Sequence, residues 1–203
     1  MNANSWRVLL STAKFKEKAQ GLRNAIAILT KKLATSPCHH THALTANRLV
    51  PFKKHPDDCR PIGIGEVLRR IIGKCIMETT KDDVKKAFGN LQVCAGQRAG
   101  GEAAIHSMRR IYDQPDCEGV LLVDATNAFN SLNRRATLHN IKVSCPSLAQ
   151  YVENIYKDPT QLYIATRSKR QNSNIQAEEG TTQGDPIAMA MYALGLAALL
   201  NEI

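Results

Sequence analysis

At 203 residues the chain holds one domain or one and a half, enough to bury a core without disulfide or metal staples. Its 43% hydrophobic and 22% charged residues exclude wholesale disorder, collagen and a coiled coil. The net charge of +9 comes entirely from the start: residues 1–54 carry ten basic side chains and one acid, Glu17, while the remaining 149 carry seventeen of each. A positive field confined to one segment fits a polyanion (nucleic acid or an anionic membrane surface), or a solvated helix that keeps the chain soluble.

Leu22, Ala25, Ile26, Leu29 and Leu33 recur on one face of a first helix flanked by Arg23, Lys31 and Lys32 and ended by Ser36-Pro37. A His-rich connector leads to a short extended piece, Leu49 to Phe52. His55-Pro56-Asp57-Asp58 reads as a turn, and Arg60-Pro61 resumes an extended chain because the residue before proline disfavours helix. Glu66 to Glu78 is predicted helical, with Val67, Leu68, Ile71, Ile72, Cys75 and Ile76 as its apolar stripe and Arg69, Arg70 and Lys74 facing away. A second helix is expected from Glu102 to Tyr112. Gly119 to Val123 is a continuous apolar run, predicted to be a buried central strand ending at Asp124. Ser147 to Tyr156 reads as helix, Gln161–Thr166 and Ile175–Glu179 as a hairpin, Gly180–Pro186 as a loop, and Ile187–Leu200 as a buried helix. The sum is an α+β chain, a sheet packed on helices, with residues 1–48 as a basic helical extension and 49–203 as the main unit.

Six cysteines lie singly, without a Cys-x-x-Cys pair, and no apolar signal segment opens the chain. Both favour reduced thiols in the nucleus or cytoplasm, although the acid-poor start also fits a mitochondrial transit peptide. The longest uncharged run, Pro186 to Asn201, is shorter than the ~20 apolar residues a membrane span requires, so no membrane is expected.

Asp124 is the sharpest chemical candidate. A carboxylate ending a buried strand is costly unless it is paired, holds a cation or caps the next turn; its oxygens suit Mg²⁺. The glycines of Gly180-Thr181-Thr182-Gln183-Gly184-Asp185-Pro186 leave backbone amides able to face a phosphate, and Gln183 both donates and accepts. Lys53, Lys54 and Arg60, on two extended arms around a turn, suit the grip of a triphosphate, or form an ordinary surface cluster.

These elements occur in the order Lys-Lys then Arg60-Pro61-Ile62, Asp124 through Phe129-Asn130, and Gln183-Gly184-Asp185-Pro186. In that order and spacing the chain resembles the reverse transcriptase domain of retroelements, of the kind found in non-LTR and related animal retrotransposons, over about Leu49 to Leu200. Leu68 and Lys74 extend the likeness of the first motif. The resemblance implies right-hand polymerase fingers plus an incomplete palm, and an RNA-directed DNA polymerase that uses an RNA template, a DNA primer and dNTPs. By the same likeness two Mg²⁺ ions, or Mn²⁺, would be held by Asp124 with the Ala125 carbonyl. Arg60 with Lys53 or Lys54 would cradle the triphosphate, Phe129 would sit under the sugar and select dNTP over rNTP, and Gln183 and Gly184 would meet the nucleotide and template. Lys31, Lys32, Arg69, Arg70, Lys169 and Arg170 are the candidate nucleic-acid contacts.

The chain departs from that family at Asn130, where relatives carry a second Asp, and at Ile187–Ala190, where they carry Leu-Ser-Pro. It also lacks the later palm motif with paired aspartates: Asp57-Asp58 and Asp82-Asp83 precede Asp124. The expectation is a fragment inactive alone and poorly soluble. The alternatives are a non-catalytic RNA- or DNA-binding module or retroelement relic, and a small zinc site. For zinc, Cys38 and His42, then His55 and Cys59, form two pairs with three residues inside each and twelve between. His106 and His139 carry no assigned role.

Overall fold

The computed structural model describes residues 1–55, 58–89, 92–93, 99–164, 173–200 and 202, and the side chains of Lys54, His55 and Asp58 lie outside that description. Cys94, Lys169 and Arg170 therefore fall outside it too. The helical start is α1 (Ala3–Leu9) and α2 (Thr12–Thr35), the second kinked at Lys16, where the backbone leaves helical values. The α2 stripe buries Ile26 and Leu33 and half-buries Leu22 and Leu29. Short α3 (His42–Thr45) leads into the antiparallel pair β1 (Asn47–His55) and β2 (Asp58–Gly65), and α4 (Val67–Phe88) follows. Next come α5 (Gly100–Tyr112), α6 (Ala128–Ser131), α7 (Arg134–Ser144) and α8 (Pro146–Tyr156). The strands β3 (Thr160–Ile164) and β4 (Ser173–Ala177) form the second antiparallel pair, and α9 (Ala188–Leu200) ends the chain.

The four strands make one mixed sheet in the order β2-β1-β3-β4, joined by the parallel pairing of β1 with β3. The class is α+β. Among the described residues no helix is long and apolar enough to cross a membrane.

The core lies among the helices. Ile72 and Ile76 of α4, Leu148, Tyr151, Val152 and Tyr156 of α8, Ile141 of α7 and Met191 and Leu194 of α9 are buried together with Ile26 and Leu33 of α2. The basic N-terminal segment is thus packed into the main body. Asn154 of α8 fastens it: its amide donates to the carbonyls of Leu33 and Ser36, both at 2.8 Å, and its oxygen accepts from Cys38 N at 2.8 Å. Those groups are the loose end of α2, which a helix C-terminus must satisfy from outside.

Helix α4 continues past Glu78 to Phe88, through the basic stretch around Asp82-Asp83 that also reads as helical. One expectation fails here: Arg69 does not face away from the core. It is 2% exposed, because 69, 72, 73, 76, 80 and 84 form one face at the helical period, and that face is the buried one. Arg69 is therefore withdrawn as a nucleic-acid contact. Arg70, Lys31 and Lys32 remain exposed.

The run Gly119–Val123 is not a buried strand. It pairs with none of the four strands, and Leu121, Leu122 and Val123 are 87%, 86% and 85% exposed. An apolar run is buried only when neighbours cover both faces, and among the described residues none covers Leu121 to Val123. The α5 stripe of Ile105, Met108, Ile111 and Tyr112 is exposed as well. Such bare apolar surface favours self-association. Replacing Leu121 with Glu and Val123 with Lys together is expected to change stability by less than about 0.5 kcal/mol while lowering binding of an apolar dye and raising solubility. A thermal melt of the double variant alongside dye fluorescence checks both; loss of the folded state would restore the buried-strand reading.

Candidate functional site

Three distant stretches meet at a cleft of about 640 Å³. Arg60 and Ile62 come from β2, Asp124 through Phe129 from the segment leading into α6, and Gln183 to Asp185 from the loop before α9. Six of the sequence candidates line it: Arg60, Asp124, Ala125, Phe129, Gln183 and Gly184.

Strand geometry decides which basic residue faces the cleft. In the β1–β2 register Phe52 lies opposite Arg60 and Val50 opposite Ile62, so these share one face of the pair. Lys53 lies opposite Cys59, on the other face. Lys53 is exposed there and does not line the cleft, which corrects its placement beside Arg60. The side chain of Lys54 lies outside the described residues.

The Asp124 segment and the loop are stitched together through their backbones. Gly180 N donates to Leu132 O at 2.8 Å and Thr181 N to Phe129 O at 2.6 Å. The chain turns into α6 through Asn127, which adopts the left-handed conformation (φ 51°) that Asn tolerates. Phe129, half-buried, packs its ring on Tyr192 of α9 with centroids 5.1 Å apart. On the opposite side Gly63 of β2 lets the loop seat against the sheet, since a Cβ there would meet the Thr182 methyl at 2.5 Å. Among the described residues nothing accepts from the amides of Gln183 and Gly184.

Asp124 is exposed, so the desolvation cost expected of a buried strand end is absent, and its claim rests on its place in the cleft. The second carboxylate lining the cleft, Asp185, has a side chain only 3% exposed and is ion-paired with Arg69. It also accepts from Tyr156 Oη at 2.8 Å and from Ile187 N at 3.1 Å. Burial, then the Asp185 charge, pushes the Tyr156 phenol well above its ordinary range, so it stays protonated and donates. Burial alone pushes Arg69 down, but Tyr156, Asp185 and Tyr151 together outweigh it and hold its pKa above the usual guanidinium value. Arg134, also buried though less completely, donates to the carbonyls of Gly180, Ala177 and Glu179 at 3.1, 2.9 and 2.9 Å. Burial lowers its pKa from the ordinary value.

Sequence reading passed over Arg134, Tyr156 and Tyr192. The one available signal was the α7 start, where Asn133 caps the helix by accepting from Ala136 N at 2.8 Å; a helix opening there carries Arg134 with it. For zinc, the described residues contain no group of His, Cys, Asp and Glu with metal-binding geometry, and the His55 side chain lies outside them. Cys38 sits near the carbonyls of Ser36 and Lys32, at the end of α2. His106 and His139 are exposed and do not line the cleft. The chain matches no protein-family model and no curated protein.

Proposed function

We propose that this chain is the nucleotide-binding part of an RNA-directed DNA polymerase, its fingers and part of its palm, in which the cleft receives a dNTP with Mg²⁺. The observation that supports it is the convergence of Arg60, Asp124, Phe129 and Gln183–Gly184 from segments more than fifty residues apart on one cleft. A guanidinium and two unengaged amides suit phosphate oxygens, and an aromatic ring beside them suits a sugar. The donors near Asp124 are oxygens, its carboxylate and the neighbouring carbonyls, the set a hard cation such as Mg²⁺ or Mn²⁺ takes. Asp124 with the Ala125 carbonyl would hold that ion, which in such sites neutralises phosphate charge and activates a hydroxyl. Arg60 orients the triphosphate tail, Phe129 blocks the space a ribose 2′-hydroxyl would need, and Gln183 contacts the paired base. RNA template and DNA primer are the expected nucleic-acid partners.

The test is an equilibrium titration of the chain with dATP in the presence and absence of Mg²⁺. Saturable Mg²⁺-dependent binding is expected, weakened about tenfold or more by Asp124→Asn, the loss of one charge-assisted contact. Binding that ignores both Mg²⁺ and Asp124 removes this reading. A second reading, a non-catalytic RNA- or DNA-binding module, is favoured by the exposed Lys31, Lys32 and Arg70. It expects nucleic-acid affinity that falls steeply with salt and is indifferent to Mg²⁺.

A further inference from the structure

The loop that carries Gln183 and Gly184 is anchored from beneath by a buried polar cluster in which the Tyr156 hydroxyl and both Asp185 oxygens are engaged, while Arg69 Nε has no partner among the described residues. Tyr156 Oη has one proton and two lone pairs. It donates to Asp185 Oδ2 at 2.8 Å and accepts from Arg69 Nη2 at 3.1 Å and from Thr182 N at 3.3 Å. Asp185 Oδ2 takes Arg69 as well, and Asp185 Oδ1 takes Ile187 N. The other end of the Arg69 fork reaches the start of β1, donating to Thr45 O at 3.2 Å and Asn47 Oδ1 at 3.4 Å. One guanidinium thus spans the root of the sheet that bears Arg60 and the loop that bears Gln183, the two components that approach each other across the cleft. Its Cζ also lies over the Tyr156 ring, 5.3 Å from the centroid.

A buried ion pair is no strong argument for stability, because desolvation offsets its attraction. Its virtue is directional: a planar fork with four partners tolerates one arrangement of them. We propose that Arg69 and Tyr156 are positioning residues that hold Thr182–Gly184 in register with the β1–β2 pair and so set the spacing between Arg60 and the Gln183–Gly184 amides. Neither residue need touch the nucleotide. The role rests on the nucleotide reading of the cleft, and what it adds is how that cleft keeps its shape.

Three measurements on the full chain test it: thermal melting, dATP affinity with Mg²⁺, and amide hydrogen exchange, relative to the intrinsic rate, at Thr181 and Asp185, whose N–H groups donate to Phe129 O and Thr182 O. The paired variant Arg69→Met with Asp185→Asn removes both charges and leaves no unpaired ion buried. It is expected to melt cooperatively while binding dATP about tenfold more weakly, as for the loss of charge-assisted hydrogen bonds, with faster exchange at both amides. Tyr156→Phe keeps the ring and the ion pair but loses the three hydrogen bonds of its hydroxyl, to Asp185, from Arg69 and from Thr182 N; the first two join groups the ion pair already holds, so the Thr182 tether decides the effect on the loop and a loss of about threefold in affinity is expected. If the paired variant does not fold, Tyr156→Phe decides by the same two site readouts. Unchanged affinity, or weaker affinity with unchanged exchange, overturns the positioning role. Should the native chain bind no dATP, the nucleotide reading fails by itself. Exchange at Thr181 and Asp185 then decides the positioning role, faster supporting it and unchanged overturning it.

Discussion

Given Mg²⁺, all four dNTPs and a primed RNA template, the purified chain is expected to bind nucleotide and leave the primer unextended. The argument is a carboxylate inventory of the cleft. Two-metal displacement needs anionic oxygens to hold both ions about the attacking and leaving groups. Among the described residues two carboxylates line the cleft, Asp124 and Asp185. Asp185 is buried against Arg69, and its oxygens are occupied by Tyr156 and the Ile187 amide, so it cannot turn to a cation without stranding a buried guanidinium. Asp124 is left to act alone. Against enzymes that commonly turn over at about 1–10³ s⁻¹, extension over an hour should stay below detection on a sequencing gel. Mg²⁺-dependent extension that Asp124→Ala abolishes would overturn this.

Gly180→Ala is expected to be the most damaging single methyl in the loop. Gly180 sits at φ +67°, and a Cβ there would run into the carbonyl oxygens of Phe129 and Asn130, closer than real Cβ atoms come. Both obstacles are backbone, held by the hydrogen bonds that stitch the loop to α6, so no side chain can rotate aside. The left-handed conformation and the overlap together cost about 3 kcal/mol, or roughly 6–12 °C of Tm in a chain this size. Gly184→Ala is the matched control. It too has positive φ (+96°), yet its nearest neighbour would be Gly63 O at 3.7 Å, so only the conformational part, about 1 kcal/mol, is expected. Equal melting temperatures for the two variants would show that the loop does not press on α6 as the structure has it.

Local pattern was enough for most of the elements. The apolar stripes of α2, α4 and α8, the proline-biased extended chain at Arg60-Pro61, the β3–β4 hairpin and the uniformly apolar α9 were all legible, because each follows from the period of a helix or strand and from turn residues beside it. So were the residue types on which chemistry would depend, with Asp124, Arg60 and the Gln183-Gly184 loop in their order. Three matters were not legible, each for the same reason: they depend on what stands next to a residue, not on what precedes it. Arg69 shows it first, since an arginine between apolar positions reads as solvent-facing until Asp185, 116 residues later, and Tyr156 supply partners that make its burial tolerable. Lys53 and Arg60 looked equivalent until the strand register set them on opposite faces. Gly119–Val123 read as a strand interior, yet burial of an apolar run requires covering neighbours, and in the structure none covers Leu121 to Val123. What the sequence determined alone is the set of elements and the chemistry they can offer. Which side chains face the cleft, and which hold it in shape, was decided by tertiary packing, because desolvation and hydrogen-bond closure are properties of a neighbourhood.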